Sequence, residues 1–441
     1  MGFARQVLLT YTVRLVLIPL GAVTGVIIAR WLGPQGQGVY ATIGAYVATA
    51  AMLGNLGLSA AATSAVAGNP GLAPALLANA RFSGGFAGLV AVGLLWALRT
   101  ALPDAFEGIP VELLLLGALA LPFTLISSQF HGVLLGLQRV RQYTLVDALE
   151  RLLMFSSALV LLLVLGFGVT ELVAATTLVA VIKLGVFQLQ LTPQSKRWRP
   201  DPAVFGRLRG FSGRAYVAAL LAFLVLRSDI MLIHGLLGSD PTGVYSVAVQ
   251  IATVLMVLPT AMGNLLFPRI AAAGTEASSA FTAALCRHSV LLISLSSLAL
   301  AAAGWWVVRL VYGEPYQAAA LALGILLPGV WCMSVQILLA NDLAGRDYPL
   351  FLPVVWLVLL TINVGLNLLL IPWLGIAGAA ASSSLAYALA LILVLRYWLR
   401  RFPAIPLRRL LLLDREELRT FAGRLFRALR PRMPDDGSVV P

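Results

Sequence analysis

Arg14, Lys183 and Arg227 each interrupt a long apolar run, and cations in such places suit the holding of phosphate. A charge in the hydrocarbon layer costs about 2.5–3.5 kcal/mol on insertion scales, so it faces a cavity or a partner. A guanidinium takes a phosphate through two parallel hydrogen bonds, which low dielectric strengthens. Arg227 lies near the middle of its run and cannot reach either headgroup layer. Arg14 is close enough to one end to reach it by snorkelling. Lys183 has no nearby acid in its own run, so it meets phosphate, pairs with Glu150 of the preceding run or snorkels. Asp229 and Glu150 are the acids placed to couple a proton or cation. Asp229 follows Arg227 by two positions, a spacing that points the two to different helix faces. Asp147 and Arg151, four apart, have the spacing of an intrahelical ion pair. His131 and His234 read as packing histidines.

Other chemistries lack their motifs. There is no G-x-x-x-x-G-K-[ST] stretch to cradle a nucleotide and no His-Glu-x-x-His or clustered Cys/His set. Cys286 and Cys332 fall inside apolar runs and read as small core residues. No catalytic residue, metal site or cofactor is expected, and no nucleic-acid partner.

The elements that must position these charges are membrane helices. Of the 441 residues 60% are hydrophobic and 11% charged, with a mean hydropathy of +0.93. Soluble domains average roughly 45–50% apolar and about 25% charged residues. The apolar runs are unbroken rather than alternating, which selects helices over a barrel. Twelve spans are predicted. Those of the first half are Leu8–Leu32, Gly38–Val66, Phe82–Leu102, Val111–Leu137, Tyr143–Phe167 and Val169–Thr192. Those of the second half are Ala215–Leu237, Gly243–Phe267, Phe281–Tyr312, Ala318–Asp342, Tyr348–Trp373 and Ile376–Leu399. Arg and Lys gather in alternate loops, which puts both termini in the cytoplasm. The first run lacks a small-residue cleavage site soon after a short apolar core and reads as a retained span.

An internal repeat organises the spans. "LGPQGQGVYA" from Leu32 matches "LGSDPTGVYS" from Leu237, so Tyr40 pairs with Tyr245. Tyr143 pairs with Tyr348 at the same offset of 205 residues, and Gly54 stands where Pro259 stands one repeat later. Six spans per repeat give parallel copies related by an axis along the membrane normal, a transporter architecture. The domains expected are an N-lobe (1–192), a basic connector (193–213), a C-lobe (214–401) and a tail (402–441). Pro19, Pro122, Pro259, Pro328 and Pro353 interrupt apolar runs and mark candidate kinks.

Three blocks carry a family resemblance: "ARWLGPQGQGVYATIGAYVATAAMLGNLGLSAAATSAVA" (29–67), "LRSDIMLIHGLLGSDPTGVYSVAVQIATVLMVLPTAMGNLLFPRIA" (226–271) and "GRDYPLFLPVVWLVLLTINVGLNLLLIPWLGIAGAAASSSLAY" (345–387). The chain resembles the bacterial polysaccharide-biosynthesis (O-antigen, Wzx-type) flippases of the multidrug/oligosaccharidyl-lipid/polysaccharide exporter superfamily. The resemblance implies an all-α fold of two six-helix lobes around a central cleft, lined largely by the first two helices of each lobe. It implies alternating access for a polyprenyl-diphosphate-linked oligosaccharide at the bacterial cytoplasmic membrane, in cell-surface polysaccharide biosynthesis. Arg14, Arg227 and Lys183 are then the cations of the cleft, and Asp229 and Glu150 the candidates for ion coupling. The rival readings are a multidrug–cation antiporter of the same superfamily and a non-transporting scaffold of a polysaccharide-synthesis complex.

The tail is the most basic part. Arg396–Arg432 holds eleven Arg against Asp414, Glu416 and Glu417, with leucines recurring near helical spacing. It reads as an amphipathic helix on the anionic leaflet, each basic residue contributing about 1 kcal/mol. A polysaccharide polymerase or glycosyltransferases are candidate assembly partners.

Overall fold

The computed structural model describes residues 3–191, 198–208, 213–272, 275–346 and 349–412. Among them there are helices and no strands. The first half runs α1 (Phe3–Asn55), α2 (Leu58–Gly68), α3 (Ala73–Ala101), α4 (Val111–Ala118), α5 (Ala120–Gly136), α6 (Val140–Ser157) and α7 (Val169–Gln190). A short α8 (Pro202–Leu208) lies in the connector. The second half runs α9 (Gly213–Val225), α10 (Ser228–Leu237), α11 (Ser239–Val254), α12 (Val257–Ala272), α13 (Thr275–Val307), α14 (Ala318–Arg346), α15 (Phe351–Leu374) and α16 (Ile376–Arg401), then α17 (Leu407–Leu411).

Among the described residues nine helices are long and apolar enough to cross a membrane, or ten if α11 and α12 form one span bent by 46°. Two features reconcile this with twelve expected spans. The element α1 holds two of them, divided where Gly33 leaves helical geometry (φ 67°, ψ 179°). The helical run Val140–Val164 carries Arg141, Asp147, Glu150 and Arg151, too many charges to read as a span by composition. Its last turns, Ala158–Val164, are π-helical.

The repeat is visible in backbone geometry. Gly238, the repeat partner of Gly33, joins α10 to α11 with φ 84° and ψ −170°. Both glycines hold a conformation that a Cβ would strain. Each also precedes a close helix crossing. A Cβ on Gly38 would run into the Ser239 carbonyl and the Gly243 amide, and a Cβ on Gly243 into the Pro34 carbonyl. The repeated "GVY" segments therefore meet each other, and they fasten one half of the molecule to the other. Gln37 Nε2 donates to Ser246 Oγ beside this crossing (3.0 Å). Tyr316 Oη donates to the Ala29 carbonyl (2.7 Å) and Arg30 Nη2 to that of Leu310 (2.5 Å). We expect Gly38→Leu to prevent this end from closing. A cysteine at Ser246 would then react severalfold faster with a membrane-impermeant thiol reagent, and an unchanged rate would refute the expectation.

Within the halves, α5 packs on α2, α3 and α7, and α14 on α11, α12, α13 and α16. The small residues at the start of α16 are buried as packing surface, with Ser384 closing on Gly329 of α14. The candidate kinks divide into two groups. Pro122, Pro259 and Pro353 stand in the first turns of α5, α12 and α15, where a missing N–H costs little, whereas Pro19 and Pro328 lie within α1 and α14. Breaks at Leu56–Gly57 and Leu255–Met256 divide the second span of each lobe.

At the far end of the second half a buried carboxylate ties three helices together. Asp342 of α14 is fully buried and accepts from Arg346 Nε and Nη2 (both 3.0 Å), Thr282 Oγ1 of α13 (2.7 Å) and Trp398 Nε1 of α16 (2.8 Å). The Arg346 guanidinium also lies 4.4 Å from the Phe402 ring centre. Of the basic tail, α17 is described, with Leu410 buried and the Arg409 carbonyl accepting from Arg287 Nη1 (3.2 Å). The rest of the expected amphipathic helix lies outside the described residues. In the connector, Asn79 and the Asp201 backbone exchange two hydrogen bonds (3.0 and 2.6 Å), and Arg81 lies 4.4 Å from the Trp198 ring centre.

Candidate functional site

A cavity of about 420 Å³ separates the two halves below the Gly38–Gly243 crossing. α1 and α11 supply most of its wall, from Gly25 to Ala48 and from Ser246 to Thr253, with contributions from α4, α5 and α7. The first two spans of the first half and the first two of the second thus surround it. Its polar surface is made by Gln37, Tyr40, Thr176, Ser246, Gln250, Thr253 and Arg227, and among the described residues no acid lines it.

Arg227 reaches the cavity because its span is broken. α9 ends at Val225 and α10 begins at Ser228, with Arg227 at the cap position (φ −131°, ψ −19°). Its side chain is exposed to the cavity and makes no hydrogen bond or ion pair among the described residues. Asp229, in the first turn of α10, does not line the cavity. It is 2% exposed, and accepts from Tyr245 Oη (2.6 Å), the Ile230 amide (2.8 Å) and Ser383 Oγ (3.5 Å). Nearby, Ser228 Oγ and Asn367 Nδ2 both donate to Asn363 Oδ1 (3.3 and 3.1 Å), leaving Asn363 Nδ2 and Asn367 Oδ1 unpartnered. Reading charges alone misses this asparagine pair. Its signal is two amides four apart in the most apolar of the spans.

Lys183 and Glu150, expected among the cleft and coupling residues, meet each other instead. Lys183 Nζ lies 2.6 Å from Glu150 Oε2, so the ammonium of α7 is neutralised by the carboxylate of α6. Both line a separate space of about 230 Å³ inside the first half, with Asp147, His131 and Ser127. His131 packs edge-on to Tyr143 (centroids 5.0 Å apart). Asp147 and Arg151 form no ion pair despite their spacing. Asp147 faces this inner space, whereas Arg151 crosses to Gly21 of α1. The two share a side of α6, but their side chains diverge because α6 packs against both α7 and α1. Arg14 lies in α1, and its side chain is outside what the structure describes.

The arrangement is similar to that of known transporters. A structure described as lipid II flippase MurJ in an inward closed conformation superposes with a TM-score of 0.72 at 11% identity, covering 91% of this chain and 89% of that one. An inward-facing multidrug resistance MATE family transporter of the MOP superfamily gives 0.66 at 17% identity, covering 88% and 95%. A MOP superfamily transporter from Pyrococcus furiosus Vc1 (DSM3638), described by the reverse polarity of its binding pocket, gives 0.61 at 16% identity, covering 90% and 93%. These likenesses establish the two-lobed fold of MOP transporters. No curated protein matches the sequence. Residues 3–273, more than half the chain, match the family described as polysaccharide biosynthesis protein, and the chain belongs to that family.

Proposed function

We propose that the protein flips a lipid-linked oligosaccharide, carried on a polyprenyl diphosphate, across the bacterial cytoplasmic membrane by alternating access. The observation that supports this reading is a central cavity lined, among the described residues, by no acid and by Arg227, which makes no hydrogen bond or ion pair there. A site for cationic drugs wants carboxylates. This cavity offers a guanidinium for phosphate and neutral donors and acceptors for sugar hydroxyls. The polyprenyl chain stays in lipid, so the protein need shelter only the polar head. The N-terminus-inside topology of the loop charges puts the Gly38–Gly243 crossing at the outer end, which makes this an outward-closed arrangement. Both termini then lie in the cytoplasm, where the basic tail meets anionic lipid and assembly partners.

Asp229 is the coupling residue in this scheme. Its carboxylate is buried next to Ser228 of the Ser228–Asn363–Asn367 cluster, in the first turn of α10, the helix that starts at the Arg227 break. Loading it with a proton or cation would alter the packing of α10 on α11 and α15, and so the position of Arg227. The test is flipping of a fluorescent polyprenyl-diphosphate hexose in proteoliposomes, beside uptake of a cationic dye. Flipping without dye uptake is expected, and Asp229→Asn should retain binding of the lipid but lose any acceleration by an ion gradient. Dye uptake without flipping would transfer the protein to the antiporter class.

A further inference from the structure

Gln37 lines the central cavity at its closed end, next to the Gly38 crossing. It is 7% exposed, and among the described residues its Oε1 has no hydrogen-bond partner. The neighbours fix which way the amide points. Ser246 Oγ donates its one proton to the Gly243 carbonyl (2.8 Å), so toward Gln37 it can only accept. The Gln37 atom 3.0 Å from it is therefore Nε2, and the carbonyl oxygen is the end left over. Thr176, also in the wall, spends its proton on the Leu172 carbonyl (2.9 Å) and keeps its lone pairs for the cavity.

A buried acceptor without a donor costs free energy that a ligand's donor recovers. A diphosphate brings acceptors only and is repelled by such an oxygen, whereas a sugar brings hydroxyl or acetamido protons. Arg227, with five donors and no acceptor, has the opposite preference. The cavity is thus polarised between a donor at the α9–α10 break and an acceptor beside the crossing. We propose that Gln37 reads the sugar: Oε1 accepts a proton from the sugar joined to the diphosphate, while Arg227 holds the diphosphate. The head group then lies sugar foremost, toward the closed end. A carrier diphosphate without sugar leaves Oε1 unpaired, so the site favours a glycosylated carrier over the bare one. This deepens the flippase reading and rests on it.

The test is equilibrium binding to the full chain in phosphatidylcholine nanodiscs, with radiolabelled polyprenyl-diphosphate hexose and sugar-free polyprenyl diphosphate as probes. Wild type should prefer the hexose lipid, and the absence of a preference overturns the proposal. Gln37→Met keeps the side-chain length and removes the acceptor. It should bind the hexose lipid about tenfold more weakly and the bare diphosphate as wild type does. Undiminished binding of the hexose lipid overturns the proposal, as does equal weakening toward both lipids, which a merely structural role would give. A third probe needs no variant. A tetrahydropyranyl diphosphate lipid, which has the ring and no hydroxyl, should bind wild type no better than the bare diphosphate, and binding equal to the hexose lipid's overturns the proposal. Because the readout is binding, it separates from the flippase reading. Wild type that flips while Gln37→Met binds both lipids normally removes the role of Gln37 alone. A Gln37-dependent preference without flipping removes the transport reading alone.

Discussion

Arg227→Ala should abolish flipping of a polyprenyl-diphosphate sugar while leaving a folded, monodisperse protein. Hydrogen bonds to charged groups contribute about 1.5–3 kcal/mol each, and a bidentate guanidinium–phosphate contact makes two. At about 1.4 kcal/mol per tenfold, the rate should fall roughly a hundredfold or more. The protein should lose little stability, because Arg227 makes no hydrogen bond or ion pair among the described residues and caps no helix with its side chain, its charge reaching buried Asp229 only through space. Arg227→Lys keeps the charge and loses the planar fork, so its rate should lie between the two. The measurement is flipping by reconstituted protein at matched density. A wild-type rate for Arg227→Ala would remove phosphate recognition from this cavity.

The second large effect is on stability. Asp342→Ala removes the carboxylate to which the Arg346 guanidinium, only 7% exposed, donates, and the acceptor of Thr282 Oγ1 and Trp398 Nε1. Breaking one side of a buried pair costs about 3–5 kcal/mol. The thermal midpoint in detergent should fall by several degrees, with dissociation of α13 and α16 from α14 as the first event. Replacing both partners with apolar residues of similar size, Asp342→Leu with Arg346→Met, should recover much of the loss. If the double variant is no better than Asp342→Ala, the network stabilises through geometry and not through charge pairing.

These two residues differ in how far the sequence announces them. Arg227 is legible because a charge deep in an apolar run has few inexpensive fates, whereas its helical spacing from Asp229 decides nothing, since Arg227 lies in the break before α10. The constant offset between the "GVY" segments likewise anticipates matched lobes, and Gly33 with Gly238 shows that it reaches down to single dihedral angles. Asp342 sits at the edge of an expected span, where an acid carries no signal. Its importance depends on Thr282 and Trp398, brought in from 60 and 56 residues away by packing. The pairing expected between Asp147 and Arg151 fails for a related reason. Helical spacing decides which side chains are able to meet, but neighbouring helices decide which do. Lys183 shows both possibilities at once, since the phosphate and Glu150 were its two available anions and the fold brings it the carboxylate.

The reciprocal crossing at Gly38 and Gly243 has one more implication. Position 38 lies over the counterpart of position 34, and the counterpart of 38 lies over position 34 itself. That is the contact rule of an isologous dimer, in which one surface patch serves as both donor and recipient of the same interface. Each half of this chain therefore carries a self-complementary surface. The covalent link between the halves fixes their stoichiometry, while the surface that joins them is one that two identical six-helix proteins would have shared.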